Sequence, residues 1–304
     1  MLKKATIIFA SIICSAIGNG LSITLENDLL FQTDCYYTHG TRFIYTPDKV
    51  PEWVNNLFSA QRYSQVHHTL AQHMYTPSDL KKEELIVDDR PYGGWLYYGY
   101  GISSQKDKWL DVIEIDIGTT GEWSFSEDVQ KCIHKLTDST MPRGWDNQIK
   151  SEMGVDLSYE KKYKFYRDDF IDFDLIPSAG FCAGNIFTLA SCGLSSRIGY
   201  NIPNDFGYVK MEPTPRKSFK KDFSLYLSAG VEERYIVRNI FLDGNTFRDS
   251  HSVAKNDWVT DIIYGIGCGY GNFSIIMVDT YRTQEFETQK ENAKFTTLIF
   301  SWKI

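Results

Sequence analysis

His134 and Gln130 stand one helical turn apart, so on a helix both project from one side: an imidazole able to carry a proton, and an amide able to donate or accept a hydrogen bond. Asn27-Asp28 offers an amide and a carboxylate, the oxygen donors a hard cation takes, and Thr38 adds a hydroxyl. Taken alone, Asn-Asp is more commonly a turn signal. Lys81-Lys82 falls in the charged stretch Asp79 to Glu84 and by itself reads as a solvated loop, while Asp89-Arg90 reads as a structural ion pair. His67, His68 and His73 suggest a metal cluster, but adjacent strand residues point to opposite faces, which rejects a shared zinc ion. Asp243-Gly244-Asn245 resembles part of a calcium loop without the remaining ligand spacing, so a tight turn is expected. The chain has no Gly-x-Ser-x-Gly elbow, and a serine hydrolase of the α/β type has no support.

The elements that must hold these groups are strands. Of 304 residues, 42% are hydrophobic and 15% aromatic, too apolar for a disordered chain. Tyr 19, Phe 19 and Trp 7 suit pleated, half-buried surfaces. A formal charge of −7 gives no basic field, which argues against nucleic acid as a partner. Residues 1–20 read as a secretory signal peptide: Lys3 and Lys4, an apolar run from Ala5 to Ile17, then Gly18, Asn19 and Gly20. The run is shorter than a spanning helix needs, so residues 21–304 form the mature domain. Five cysteines remain there, an odd number without zinc or redox spacing, so no disulfide framework is expected.

Period-two alternation runs through the mature chain. Leu298, Phe300, Trp302 and Ile304 share one face, as do Ile262, Tyr264 and Ile266, and Leu225, Leu227 and Val231. Runs of about ten residues match tilted transmembrane strands, although a soluble sandwich gives a similar pattern. Twelve strands are expected, near 21–30, 37–46, 65–75, 92–104, 108–118, 153–163, 169–180, 184–198, 222–235, 257–270, 272–284 and 293–304. With the first running outward, the short connections 105–107, 164–168 and Gly271 fall on the periplasmic side and the long ones 76–91, 119–152 and 236–256 outside. That asymmetry belongs to an outer-membrane barrel, with 47–64 and 199–221 as exceptions. One helix is expected in the fifth connection. Val129, Cys132, Ile133 and Leu136 form its apolar stripe, Ser124 with Glu127 a capping box, and Gln130 and His134 the opposite face near the barrel mouth.

Several motifs, in order along the chain, resemble the lipid A 3′-O-deacylase (LpxR-type) outer-membrane proteins. They are Glu26-Asn27-Asp28, Asp34-Cys35-Tyr36-Tyr37-Thr38-His39-Gly40, Gln72-His73-Met74-Tyr75-Thr76-Pro77 and Asp89-Arg90-Pro91-Tyr92-Gly93-Gly94-Trp95. Gln130-Lys131-Cys132-Ile133-His134-Lys135, Gly144-Trp145-Asp146-Asn147-Gln148 and Leu242-Asp243-Gly244-Asn245-Thr246-Phe247 continue the series. The resemblance implies an all-β, twelve-stranded antiparallel barrel with a short helix in an extracellular loop. It implies a Ca2+-dependent hydrolase that removes the 3′-linked acyloxyacyl chain of lipid A, with its site facing the outer leaflet. It carries active-site roles onto Asn27, Asp28, Thr38, Gln130 and His134, with Asp28 as a calcium ligand and His134 activating water. Lys81 and Lys82 align with a basic pair near the sugar-phosphate head group, and Asp138 is the nearest counterpart of an acidic residue after the histidine. Lipid A, or lipopolysaccharide, is then the partner, with outer-membrane lipids around a monomer. The competing readings are an outer-membrane phospholipase and an inert structural or lipid-binding barrel.

Overall fold

A computed structural model describes residues 20–27, 35–57, 63–168, 172–207 and 223–303. The signal-peptide expectation for 1–19, and Asp28, fall outside the described residues. Twelve long antiparallel strands close into a barrel: β1 Gly20–Asn27, β2 Tyr36–Thr46, β3 Tyr63–Thr76, β4 Gly93–Lys106, β5 Trp109–Thr120 and β6 Met153–Tyr163 in the first half. After a short β7 (Tyr166–Asp168) follow β8 Phe173–Gly184, β9 Phe187–Tyr200, β10 Ser224–Asn239, β11 Trp258–Tyr270, β12 Phe273–Arg282 and β13 Ala293–Lys303. β7 pairs only with β8, whereas β6 with β8 and β1 with β13 complete the ring. Among the described residues closure leaves each of the twelve long strands paired on both sides, which is what a sheet surrounded by lipid requires. Gly20 lies opposite Lys303, so both ends of the barrel chain meet at one rim.

Alternation sorts side chains as expected. Along β11, Trp258, Ile262, Tyr264, Ile266 and Tyr270 are exposed on the outer face, while Val259 and Asp261 are buried inside. His67 turns inward against Glu114 at 2.6 Å and His68 outward against Tyr98 at 2.6 Å, on opposite faces. Connections at the rim holding the termini include the short Asp107–Lys108 and Gly271–Asn272, and the long 47–62, which carries α1 (Glu52–Leu57). The opposite rim carries the long loops 77–92, 121–152 and 240–257, though β8 and β9 are joined there by only Asn185 and Ile186.

The lumen is filled. Beneath the long loops, Tyr37, Tyr75, Trp95, Tyr97 and Phe295 pack around Ile240 and Phe241 of α3 (Ile240–Asp243), with Tyr75 and Phe241 stacked at 4.2 Å. At the other end Phe206 packs on Leu110, Val112 and Ile176, and Arg197 joins its loop to the wall through Asp205 at 2.5 Å and Asp174 at 2.6 Å. Between these plugs lies a polar cavity of about 270 Å³, lined by Glu26, Arg42, His73, Asp116 and Arg234 among others. Arg234 and Arg282 both bind Asp261, at 2.7 and 2.9 Å, so these buried charges are paired rather than isolated.

One local expectation changes. Asp89 and Arg90 do not form one ion pair: Asp89 accepts from the Ser78 amide and hydroxyl at 2.8 and 2.6 Å, and Arg90 binds Glu285 at 3.1 Å. The chain brings Arg90 a better partner from the loop 283–292 between β12 and β13, joining two loops over the mouth. Burial alone would raise the Glu285 carboxyl, but Arg282, Arg90 and Arg234 outweigh it and hold it below the usual carboxylate range. A second local expectation stands: Gly244, at φ +79°, ends α3, and Asn245 grips the Lys150 backbone at 2.7 and 2.8 Å, so Asp243-Gly244-Asn245 is a turn. The five cysteines of the described residues are free thiols.

Candidate active site

Register builds the site. Asn27 pairs with His39, His39 with Met74 and Met74 with Gly94, a row crossing β1 to β4 near the long-loop rim. The neighbours Glu26, His73 and Trp95 line the internal cavity, so the row faces outward. Over it lies α2, Ser126–Thr137, burying Ser126, Gln130 and His134. A methyl group at Gly94 would collide with the hydroxyls of Ser124 and Ser126, so glycine is what admits the helix to the wall. Gln72 ties the same segment down, donating to the Ser124 carbonyl at 2.6 Å. Four helical residues rise about 6 Å, slightly more than one inter-strand spacing. From Ser126 over β4, Gln130 and His134 therefore step across toward β2 and β1.

Asn27, Thr38, His39, Met74, Gln130 and His134 accordingly line one cleft of about 20 Å³, room for a single water. Four of the sequence-predicted residues come together. The cleft lies at the long-loop rim, on the outer face of the wall. The mouth is occupied by the α3 plug and its aromatic partners.

The helix faces also differ from expectation. Leu136 is 81% exposed and Cys132 is exposed, while Val129 packs against Met74, Leu80, Tyr92 and Trp145 and Ile133 is half-buried at the cleft. No capping box forms, because Phe125 occupies the N-cap in a left-handed conformation at φ 56° and Ser124 bonds the Gly121 carbonyl at 2.6 Å.

His134 Nδ1 meets the Thr140 carbonyl at 2.5 Å. A carbonyl only accepts, so Nδ1 carries the proton and the neutral ring keeps its lone pair on Nε2. Asp138, left-handed at φ 54°, ends the helix, its backbone N–H donating to the His134 carbonyl. Gln130 is oriented by Trp145, whose indole N–H donates to Oε1 at 2.7 Å. Indole nitrogen can only donate, so the amide cannot flip, and its buried Nε2 has no hydrogen-bond partner among the described residues. Asn27 Nδ2 donates to the Thr38 carbonyl at 3.0 Å, and the Thr38 and Thr76 hydroxyls bond at 2.6 Å. Thr38 sits at a β-bulge, where pairing skips from Tyr37 to His39.

Lys81 and Lys82 are exposed in the loop 77–92 and do not line the cleft. Leu80, beside them, packs in the cluster that contains Trp145, so their loop abuts the site from behind Gln130. Sequence reasoning assigned no role to His39, Met74 or Trp145. His39 was hidden by the bulge, because uninterrupted alternation from inward-facing Tyr37 would have turned it inward too.

A model of the family described as outer membrane protein LpxR matches residues 5–304. The chain belongs to this family. LpxR from Salmonella typhimurium superposes with a TM-score of 0.78 at 20% identity, over 94% of this chain and 100% of that one. The β domain of the Bordetella autotransporter BrkA gives 0.50 at 9% identity, over 94% and 99%, a likeness of barrel architecture. No curated protein matches the chain. LpxR membership makes this an outer-membrane barrel, in keeping with its apolar outer face.

Calcium takes amide, hydroxyl and carbonyl oxygens as readily as carboxylates. With Nδ2 donated to Thr38, the Asn27 amide offers a cation Oδ1, and Thr38 offers oxygens in the same cleft. The oxygens of Asn27 and Thr38 in this cleft are hard, neutral donors, a chemistry that fits calcium.

Proposed function

We propose that the protein is a lipid A deacylase of the outer membrane, hydrolysing the ester of the 3′-linked acyloxyacyl chain with water activated by His134. The observation that carries this reading is the water-sized cleft that brings His134, Gln130, Asn27 and Thr38 together on the lipid side of the wall. An ester in the outer leaflet lies outside a barrel, and a site in the lumen could not reach it. Outward placement beneath a covering helix suits a lipid substrate.

His134 Nε2 takes the proton of the attacking water, with the Thr140 carbonyl holding the ring in the required tautomer. Gln130 Nε2, pre-aimed by Trp145, donates to the oxygen on which charge develops. Asn27, Thr38 and Asp28 are the residues that would hold calcium, which when bound polarises the ester carbonyl. Lys81 and Lys82, on the adjoining loop, meet the phosphorylated sugars.

Mass spectrometry of lipid A from cells expressing the wild type or His134→Ala, with the purified proteins assayed in calcium and in excess chelator, tests the reading. Loss of the 3′ chain only with the wild type and calcium is expected. Undiminished activity of His134→Ala, or in chelator, overturns the mechanism. Cleavage confined to glycerophospholipids makes the protein a phospholipase instead.

A further inference from the structure

We infer that His39 is a second histidine of the cleft that touches substrate, donating a hydrogen bond from its imidazole to the bound ester beside His134. The inference rests on the hydrolase reading and extends it to a residue with no role so far. Two independent features place His39 there. Pairing sets it directly between Asn27 and Met74 in the outward row, and the bulge at Thr38 is what turns it outward. It then lines the same cleft as Gln130 and His134.

An imidazole on the lipid side of a barrel wall is costly unless its polar atoms are engaged. Thr41, two residues along the same face, bonds Nε2 at 2.7 Å and is the ring's hydrogen-bond partner among the described residues. The hydroxyl can donate or accept; in the tautomer in which it donates, Nδ1 carries the ring's proton and is the donor left for a ligand. Every group an ester presents at its reacting centre is an acceptor. The ring therefore complements the substrate, while proton transfer stays with His134.

Full-length protein in detergent micelles, assayed on lipid A with calcium, separates this role from a structural one. His39→Leu is expected to lower kcat/KM by 10- to 100-fold, mainly through KM, with the pH profile of the remaining activity unchanged. His39→Asn, whose amide N–H stands near the position of Nδ1, should recover at least half of that loss on a logarithmic scale. Heat-modifiable migration on gels verifies that each barrel is folded. A folded His39→Leu within twofold of wild type, or a His39→Asn no better than His39→Leu, overturns the inference and leaves the deacylase reading intact. If wild type itself turns over no lipid A, the deacylase reading fails, and lipid A binding in the same micelles decides on His39. Weaker binding by His39→Leu than by wild type and His39→Asn supports the contact, and equal binding removes it.

Discussion

At the scale of residues, the cleft works by removing choices. Trp145 allows Gln130 one amide orientation and Thr140 allows His134 one tautomer, so neither group must reorganise when charge develops. Gln130→Glu keeps an acceptor for Trp145 but, once ionised, has no N–H to give. It should reduce kcat by roughly 10²–10³ with little change in KM, as loss of an oxyanion donor does. Steady-state kinetics would refute this by showing the loss in KM alone. His134→Ala should cost roughly 10²–10⁴ in rate, the usual worth of a positioned base, and a turnover assay of the folded variant within threefold of wild type would refute this. The roles of Asn27, Thr38, Gln130 and His134 came from short motifs, and their convergence is a matter of register and helix placement that no motif displays. Asp138 shows the limit: sequence marks it as an acid near His134, while the left-handed turn by which its backbone ends the helix has no signature there.

At the scale of elements, one glycine decides whether the site exists. Gly94→Val should push α2 off β4 and abolish turnover while leaving a folded barrel, because the added atoms meet the helix and not the strand ladder. Circular dichroism and heat-modifiability should match wild type as activity falls below a hundredth. An active Gly94→Val would mean that α2 is not seated by this contact. Strands were legible because alternation repeats over ten or more residues and each barrel face has a constant environment. The helix was legible as a helix and misread in its orientation. An apolar stripe normally marks the buried side, since water lies on the other. Beside a membrane barrel that inference loses its basis, and here Leu136 faces out while Gln130 and His134 face the wall. The bulge at Thr38 has no sequence signature and shifts the face of every β2 residue before it relative to those after.

At the scale of the whole molecule, the two plugs make the barrel an anchor and not a channel. Reconstituted into planar bilayers, it should give no steady conductance, and a stable open level would show that the Phe206 loop or the α3 plug does not stay in place. The loop cap should respond to acid. Since the folded state lowers the Glu285 carboxyl below the ordinary glutamate value of about 4.3, its ion pairs contribute stability above that value and lose it as pH falls through the lower one. Glu285→Gln should therefore melt below wild type at pH 7, with the gap narrowing toward pH 3. A gap independent of pH would assign Glu285 a packing role only.

All the lining of the cleft, and the Trp145 that steadies it, comes from one unbroken stretch between Asn27 and Trp145. The later strands complete the ring, and their loops touch the surroundings of the cleft through Asn245 at Lys150 and Glu285 at Arg90. The residues of the cleft can thus be inherited as a block, while the loops after β6 can drift in length and sequence wherever those two contacts are kept.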